Sequence, residues 1–172
     1  MLWMLAAVSL IAKWESFSPN VYNDLGDGSA RIGFGMEAQG RTTITHGEAF
    51  DELSIYVFDL GNRIVKACVR HGGKSCTNPN HLAALTSLAY NVGMGTLLRS
   101  TLWRYHLGGQ WEEAANQFVR YVKAGGKTYK GLVKRRVSEA IIYSGGADMF
   151  DLGSPVPRKF VEQGGEAFIC VE

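Results

Sequence analysis

The stretch Ile11-Ala12-Lys13-Trp14-Glu15-Ser16-Phe17-Ser18-Pro19-Asn20-Val21-Tyr22-Asn23-Asp24, with the glycine-punctuated run Gly26-Asp27-Gly28-Ser29-Ala30-Arg31-Ile32-Gly33-Phe34-Gly35 behind it, decides how this chain is read. Ahead of it Leu2, Leu5, Leu10, Ile11 and Trp14 recur at mixed three- and four-residue spacings. That periodicity predicts a helix that runs to Glu15 and hands over at Ser18-Pro19. From Val21 to Gly35, short apolar pieces broken by Gly26, Gly28, Gly33 and Gly35 predict a small twisted hairpin. Glu15 then closes a helix, and Asp24 sits in a turn. A carboxyl at the negative end of a helix dipole, flanked by Trp14 and Phe17, is in surroundings that suit a proton donor. One among glycines, open backbone and water suits an anion. Such a pair meets the needs of acetal cleavage near neutral pH, one carboxyl bringing a proton to the leaving oxygen and the other ionised across the sugar.

Working outward, Thr45 and Glu48 form a capping box, and Phe50, Leu53, Val57, Leu60, Ile64 and Cys68 keep helical spacing. This predicts a long helix over about 46–70 that connects two lobes. After a Gly72-Gly73 to Pro79 loop, Leu82, Leu85, Leu88 and Ala89 mark an apolar helix ending at Asn91-Val92-Gly93, the core of the larger lobe. Ser100 caps a short helix ending at Gly108-Gly109, Trp111 to Ala124 reads as another stopped by Gly125-Gly126, and Lys130 to Ser144 is the last. The expected fold class is α+β, mainly α. Residues 1–145 form one catalytic domain, with a small sheet in an N-terminal lobe (about 12–50) and a helical lobe (about 78–145). Residues 146–172 are a glycine- and proline-bearing tail with no assigned role.

With 172 residues and 46% hydrophobic content the chain can bury one ordinary core. A net charge of +2 calls for neither nucleic acid nor an anionic membrane as partner. Met1 to Ala12 carries no charge, but it is too short to span a bilayer and lacks a basic leader and a small-residue cleavage site. It reads as a core helix, neither a signal peptide nor a stable membrane insertion. Three cysteines and the scattered His46, His71, His81 and His106 show no metal-ligand spacing, and no cofactor fingerprint is present, so no metal and no cofactor is expected. Cys68 and Cys76 bracket Val69 to Ser75 and are either a disulfide pair or two thiols. Trp103, Trp111, Phe118 and Tyr121 read as core before sugar-stacking platforms.

Taken in order, these segments resemble phage-type lysozymes, glycoside hydrolase family 24. The resemblance starts with Ile11 to Glu15, Val21 to Asp24 and Arg31 to Gly35. It continues through Thr45 and Glu48, then Ala89-Tyr90-Asn91-Val92-Gly93-Met94-Gly95 with Ser100-Thr101-Leu102. Ala114 to Phe118, Ala124-Gly125-Gly126 and Gly131 to Arg136 with Glu139 complete it. It implies a two-lobed lysozyme fold and an endolysin that hydrolyses the β-1,4 bond between N-acetylmuramic acid and N-acetylglucosamine in peptidoglycan, causing lysis of the host cell. Glu15 would be the acid and Asp24 the second carboxylate. It also implies a monomer made in the bacterial cytoplasm and released to the wall by a holin-type, membrane-permeabilising partner.

Two departures stand out. The family has a threonine directly before the Ile-Gly-x-Gly run, whose hydroxyl helps hold the attacking water, and here that position is Arg31. A guanidinium is neither a base nor an acceptor for water, so Arg31 and the nearby Ser29 or Asp27 are the candidates for a third catalytic position. Met36 stands where a histidine often follows the last glycine. Tyr22, Asn91, Arg135 and Arg136 are candidate substrate-binding residues, Tyr22 alternatively packing the hairpin and Asn91 alternatively capping a helix. The basic run of Lys127, Lys130, Lys134, Arg135 and Arg136 is either a solvated helical face or a cleft wall that attracts anionic groups of the envelope. Two rivals to hydrolysis remain: a lytic transglycosylase, in which a muramyl hydroxyl replaces water, and a glycan-binding relative without turnover.

Overall fold

The computed structural model describes residues 2–24 and 28–145. Asp27 and the tail from 146 onward lie outside the described residues. Seven helices and two small antiparallel sheets make up the described fold, so the α+β, mainly α expectation holds.

Helix α3 (Pro79–Val92) is the axis of the molecule. His81 through Ala89 are buried without interruption, because α1 (Leu2–Glu15), α2 (His46–Arg70) and α7 (Lys130–Tyr143) all pack against it. A helix enclosed on several sides has no polar stripe to spare, which is why Leu82, Leu85 and Leu88 stand among alanines rather than charges. By contrast α2 touches the core along one stripe, Ala49, Leu53, Val57, Leu60, Ile64 and Cys68, and its other faces meet solvent. Thr45 and Glu48 close the capping box at its start.

Strands β1 (Ser18–Asn23), β2 (Ala30–Gly33) and β3 (Met36–Glu37) form one antiparallel sheet in that order. Tyr22 lies opposite Arg31, and Arg31 opposite Glu37, so these three side chains share a face of the sheet. Phe17 and Phe34 meet each other and the edge of His46, which fastens the sheet to the first turn of α2.

The expected helix from Trp111 to Ala124 is not formed as one piece. α6 covers only Trp111–Ala115, a 3-10 turn follows over Phe118–Tyr121, and β4 (Lys123–Ala124) and β5 (Lys127–Thr128) make a short hairpin. Phe118, Val119, Tyr121 and Val122 are poor helix formers, and burial of Phe118 against Tyr143 rewards the tighter turn. Gly125 and Gly126 both take positive φ, 54° and 78°, which makes them the two-residue turn of a hairpin rather than a helix stop. Two further helices, α4 (Met94–Leu98) and α5 (Thr101–Gly108), join α3 to α6; Ser100 caps α5 by accepting from the Trp103 amide at 2.9 Å.

At the far end of α2 the Cys68 and Cys76 sulfurs are 2.09 Å apart, joined as a disulfide. Beside them the buried His106 ring has Nδ1 2.8 Å from the Tyr143 hydroxyl and is surrounded by His81, Trp103 and Trp111. Burial first, and the neighbouring His81 second, hold the His106 imidazole down to about 4. An unfolded chain takes up this proton near the ordinary 6.5 and the folded one resists until about 4, so stability is complete above pH 6.5 and falls as pH drops toward 4. The linked loss is at most about 3 kcal/mol. The urea midpoint at pH 4.5 should therefore lie clearly below that at pH 7, and His106→Gln should shrink the difference; equal midpoints in the unaltered protein would refute this.

Candidate active site

Glu15 is the last residue of α1, and Ser16 then takes a left-handed φ of 59°. That conformation costs a non-glycine residue about 1 kcal/mol, and it turns the chain abruptly so that β1 starts at Ser18. Glu15 is thus fixed at a corner between helix and sheet, its side chain 22% exposed.

Each of its carboxylate oxygens has a different neighbour. Arg135 on α7 donates from Nη1 to Glu15 Oε1 at 2.5 Å. The same guanidinium donates from Nη2 to the Ser87 carbonyl of α3 and from Nε to Glu139 Oε1, both at 3.2 Å. Ser87 Oγ donates to Glu139 Oε1 at 2.7 Å. Arg136 Nη2 donates to Glu139 Oε1 at 3.1 Å and to Asn91 Oδ1 at 3.2 Å. Arg136 Nε lies 3.0 Å from Glu139 Oε2 but at an angle too poor for a hydrogen bond, so that contact is an ion pair only. Arg135, Arg136 and Glu139 are all buried. Two cations and two carboxylates therefore balance, and Arg135 divides its charge between Glu139 and Glu15.

Oε2 looks the other way, toward Gly35 and the Tyr22 hydroxyl: a β-carbon on Gly35 would stand 3.7 Å from Oε2 and 3.8 Å from that hydroxyl. Gly35 has a φ of 83°, so any side chain there would be strained and would also crowd this oxygen. Tyr22 registers the surrounding charges. Its phenol is raised by burial, then by Glu15, then by Asp24, and is lowered by Arg31. Both candidate carboxylates and Arg31 hence act on one hydroxyl. Asp24 follows β1 directly, its amide donating to the Ser29 carbonyl and its carbonyl accepting from Gly28.

From Gly35 a groove of about 330 Å³ extends along Arg31, Met36, Glu37 and Gln39 to Arg41, Glu52, Tyr56 and Tyr90. Tyr90 is held by donating to the Phe34 carbonyl at 2.9 Å, and Tyr56 meets it edge-on. Arg41 and Glu52 brace the far wall as an ion pair.

The structure brings Glu15, Asp24 and Arg31 near enough to Tyr22 to act on its phenol, and of these four Arg31 lines the groove. It corrects two expectations: Arg135 and Arg136 are buried and engaged by carboxylates, so neither forms a cleft wall. Asn91 is no helix cap, because Gly93 ends α3; it is exposed, with its oxygen taken by Arg136. Trp103 and Phe118 are core. Glu139 and Ser87 carry no assigned part in the sequence reading, although the spacing Arg135-Arg136-x-x-Glu139 is the (i, i+3) and (i, i+4) pattern of pairs on one helical face. Among the described residues no cluster of histidine, cysteine or carboxylate side chains fits a metal ion.

The phage lysozyme family profile matches residues 12–139. The chain is 33% identical over 145 residues to the endolysin of Bacillus phage PZA, covering 82% of this chain and 54% of that protein. It is 52% identical over 60 residues to the endolysin of Bacillus phage B103, covering 35% of this chain and 23% of that one. The chain thus spans about half the length of the first relative and about a quarter of the second. Among solved structures, the muramidase domain of SpmX from Asticaccaulis excentricus superimposes with a TM-score of 0.68 at 25% identity, covering 80% of this chain and 94% of that one.

Proposed function

Since the chain belongs to the phage lysozyme family, we propose that it hydrolyses the β-1,4 bond between N-acetylmuramic acid and N-acetylglucosamine in peptidoglycan, lysing the bacterium that makes it. The observation that carries this reading is the two-sided placement of Glu15: Oε1 is anchored by Arg135, and Oε2 is presented beside Gly35, which lines the groove. In the proposed reaction the glycan lies along the groove with the scissile oxygen at Oε2. Glu15 delivers its proton there as the bond breaks, and Asp24 supplies the negative charge that stabilises the oxocarbenium-like sugar or directs water onto it. With Oε1 held by Arg135, a proton taken up by Glu15 is carried on Oε2, so the direction of its delivery is settled before substrate arrives.

Arg31 favours a second reading. It faces the site in register with Tyr22 and offers no acceptor for an attacking water, which suits attack by the muramyl 6-hydroxyl of the substrate itself. The two reactions leave different ends. Mass spectrometry of fragments released from purified wall is expected to show reducing N-acetylmuramic acid; 1,6-anhydro ends instead would make the protein a lytic transglycosylase. Arg31→Thr is expected to keep or raise hydrolysis, measured as wall clearing, and a fall of about tenfold or more would assign Arg31 a task of its own.

Release from the cytoplasm through a membrane-permeabilising partner, and action as a monomer, complete the proposal. No described helix is long and apolar enough to cross a membrane.

A further inference from the structure

From Ala114 to Ser138 the sequence holds seven cations and no acid. Two of them, Arg135 and Arg136, are buried and neutralised by Glu15 and Glu139. The other five, Arg120, Lys123, Lys127, Lys130 and Lys134, are exposed, and among the described residues none is in an ion pair. Removing these five from the chain's eighteen Lys and Arg leaves thirteen against sixteen Asp and Glu. The mild overall charge therefore conceals a strongly basic segment in an otherwise acidic chain, with Lys123 and Lys127 on opposite faces of the β4–β5 hairpin.

Lys130 and Lys134 sit where the helix gains nothing from their charge. Lys130 opens α7, whose first turn has no acidic residue, so its charge opposes the helix dipole. Lys134 follows it at (i, i+4), where like charges repel. Lysines on the edges of the β4–β5 ribbon do discourage stray strand pairing, but that need does not extend to α7. Tyr129 is the one large exposed hydrophobic side chain in this segment; the others among the described residues lie on α1, β1 and α2, so the basic segment has little to insert into a bilayer. Arg135, which holds Glu15, directly follows Lys134 on the same helix.

We propose that this exposed basic segment binds an anionic phosphodiester polymer attached to the wall glycan, a flexible chain able to follow cations on both sides of the hairpin, and so holds the enzyme on its substrate. The proposal rests on the reading of the protein as a wall-glycan hydrolase. A repeating polyanion matches cations spread over a hairpin and a helix, relieves their mutual repulsion, and requires no apolar pocket.

Binding is best measured by co-sedimentation of the full chain carrying Glu15→Gln, so that the wall is not digested, with purified walls before and after hydrofluoric acid strips their phosphodiester polymers. Native walls should bind about tenfold or more tightly than stripped ones, with the difference vanishing as salt rises to about 0.3 M and inorganic polyphosphate competing. Adding Lys123→Gln, Lys127→Gln, Lys130→Gln and Lys134→Gln should reduce binding to the stripped-wall level, whereas arginine at all four positions should keep it. In a chain with Glu15 intact, the four glutamines should leave cleavage of stripped wall within about twofold. Equal binding to native and stripped walls, undiminished binding by the four-glutamine chain, or a preference for anionic phospholipid vesicles over native wall would overturn the proposal. A failure of the hydrolase reading would register separately, as wall cleavage undiminished by Glu15→Gln alone.

Discussion

Glu15→Gln is expected to lower glycan cleavage by about 10²–10⁴-fold while the protein stays folded. The isosteric amide can keep its carbonyl oxygen toward Arg135 Nη1, since Arg135 needs an acceptor there and an NH2 group would meet a donor. The amide nitrogen then replaces Oε2 beside Gly35 and Tyr22, at the position from which the proton must leave. It has the shape of the acid without a proton to give at neutral pH. Arg135 retains Glu139, the Ser87 carbonyl and the amide oxygen, so the network loses one charge and no partner, and the cost to stability should be about 1 kcal/mol. Release of reducing ends from purified wall, with circular dichroism on the same sample, separates lost chemistry from lost fold. Cleavage within a few-fold of the unaltered protein would mean that another group donates the proton. Glu15→Asp makes the complementary case: it keeps an acidic proton but shortens the reach by one methylene, so it should also fall steeply if position, rather than acidity alone, governs the step.

Residues whose roles depend on near neighbours were readable in the sequence. α1 ends at Glu15 because its apolar period ends there, α2 starts where Thr45 and Glu48 close a capping box, and the turn after Val92 follows from Gly93. The partner that fixes Glu15 was not readable, because Arg135 arrives from 120 positions away and is seated there only through the packing of α7 on α3. An arginine beside a lysine in a basic run reads as surface; it is the depth of the α3–α7 contact that turns Arg135 and Arg136 inward while Lys134 stays outside. The broken helix after Ala115 has the same origin, since Phe118 gains more by packing under Tyr143 than a weak helical segment gains by continuing.

Glu139→Leu is expected to cost about 3–5 kcal/mol, a large part of the roughly 5–15 kcal/mol that holds an ordinary domain together. Leucine fills most of the volume of Glu139, so the loss is electrostatic rather than a cavity effect. Arg136 is enclosed, burial presses its guanidinium down, and Glu139 is the first of the charges that support it. Without that carboxylate Arg136 keeps only the Asn91 oxygen, the Ser87 hydroxyl loses its acceptor, and Arg135 turns its whole charge on Glu15. Urea unfolding should show the drop directly. Breaking a buried pair on one side is far worse than replacing both sides by apolar groups of similar shape, so Arg136→Met added to Glu139→Leu should recover a substantial part of the stability. Recovery of stability without recovery of cleavage would show that Glu139 also positions Glu15 through Arg135, because the double variant repairs the core while leaving Arg135 with one carboxylate instead of two. A single variant as stable as the unaltered chain would mean that the four charges are not coupled as their distances indicate.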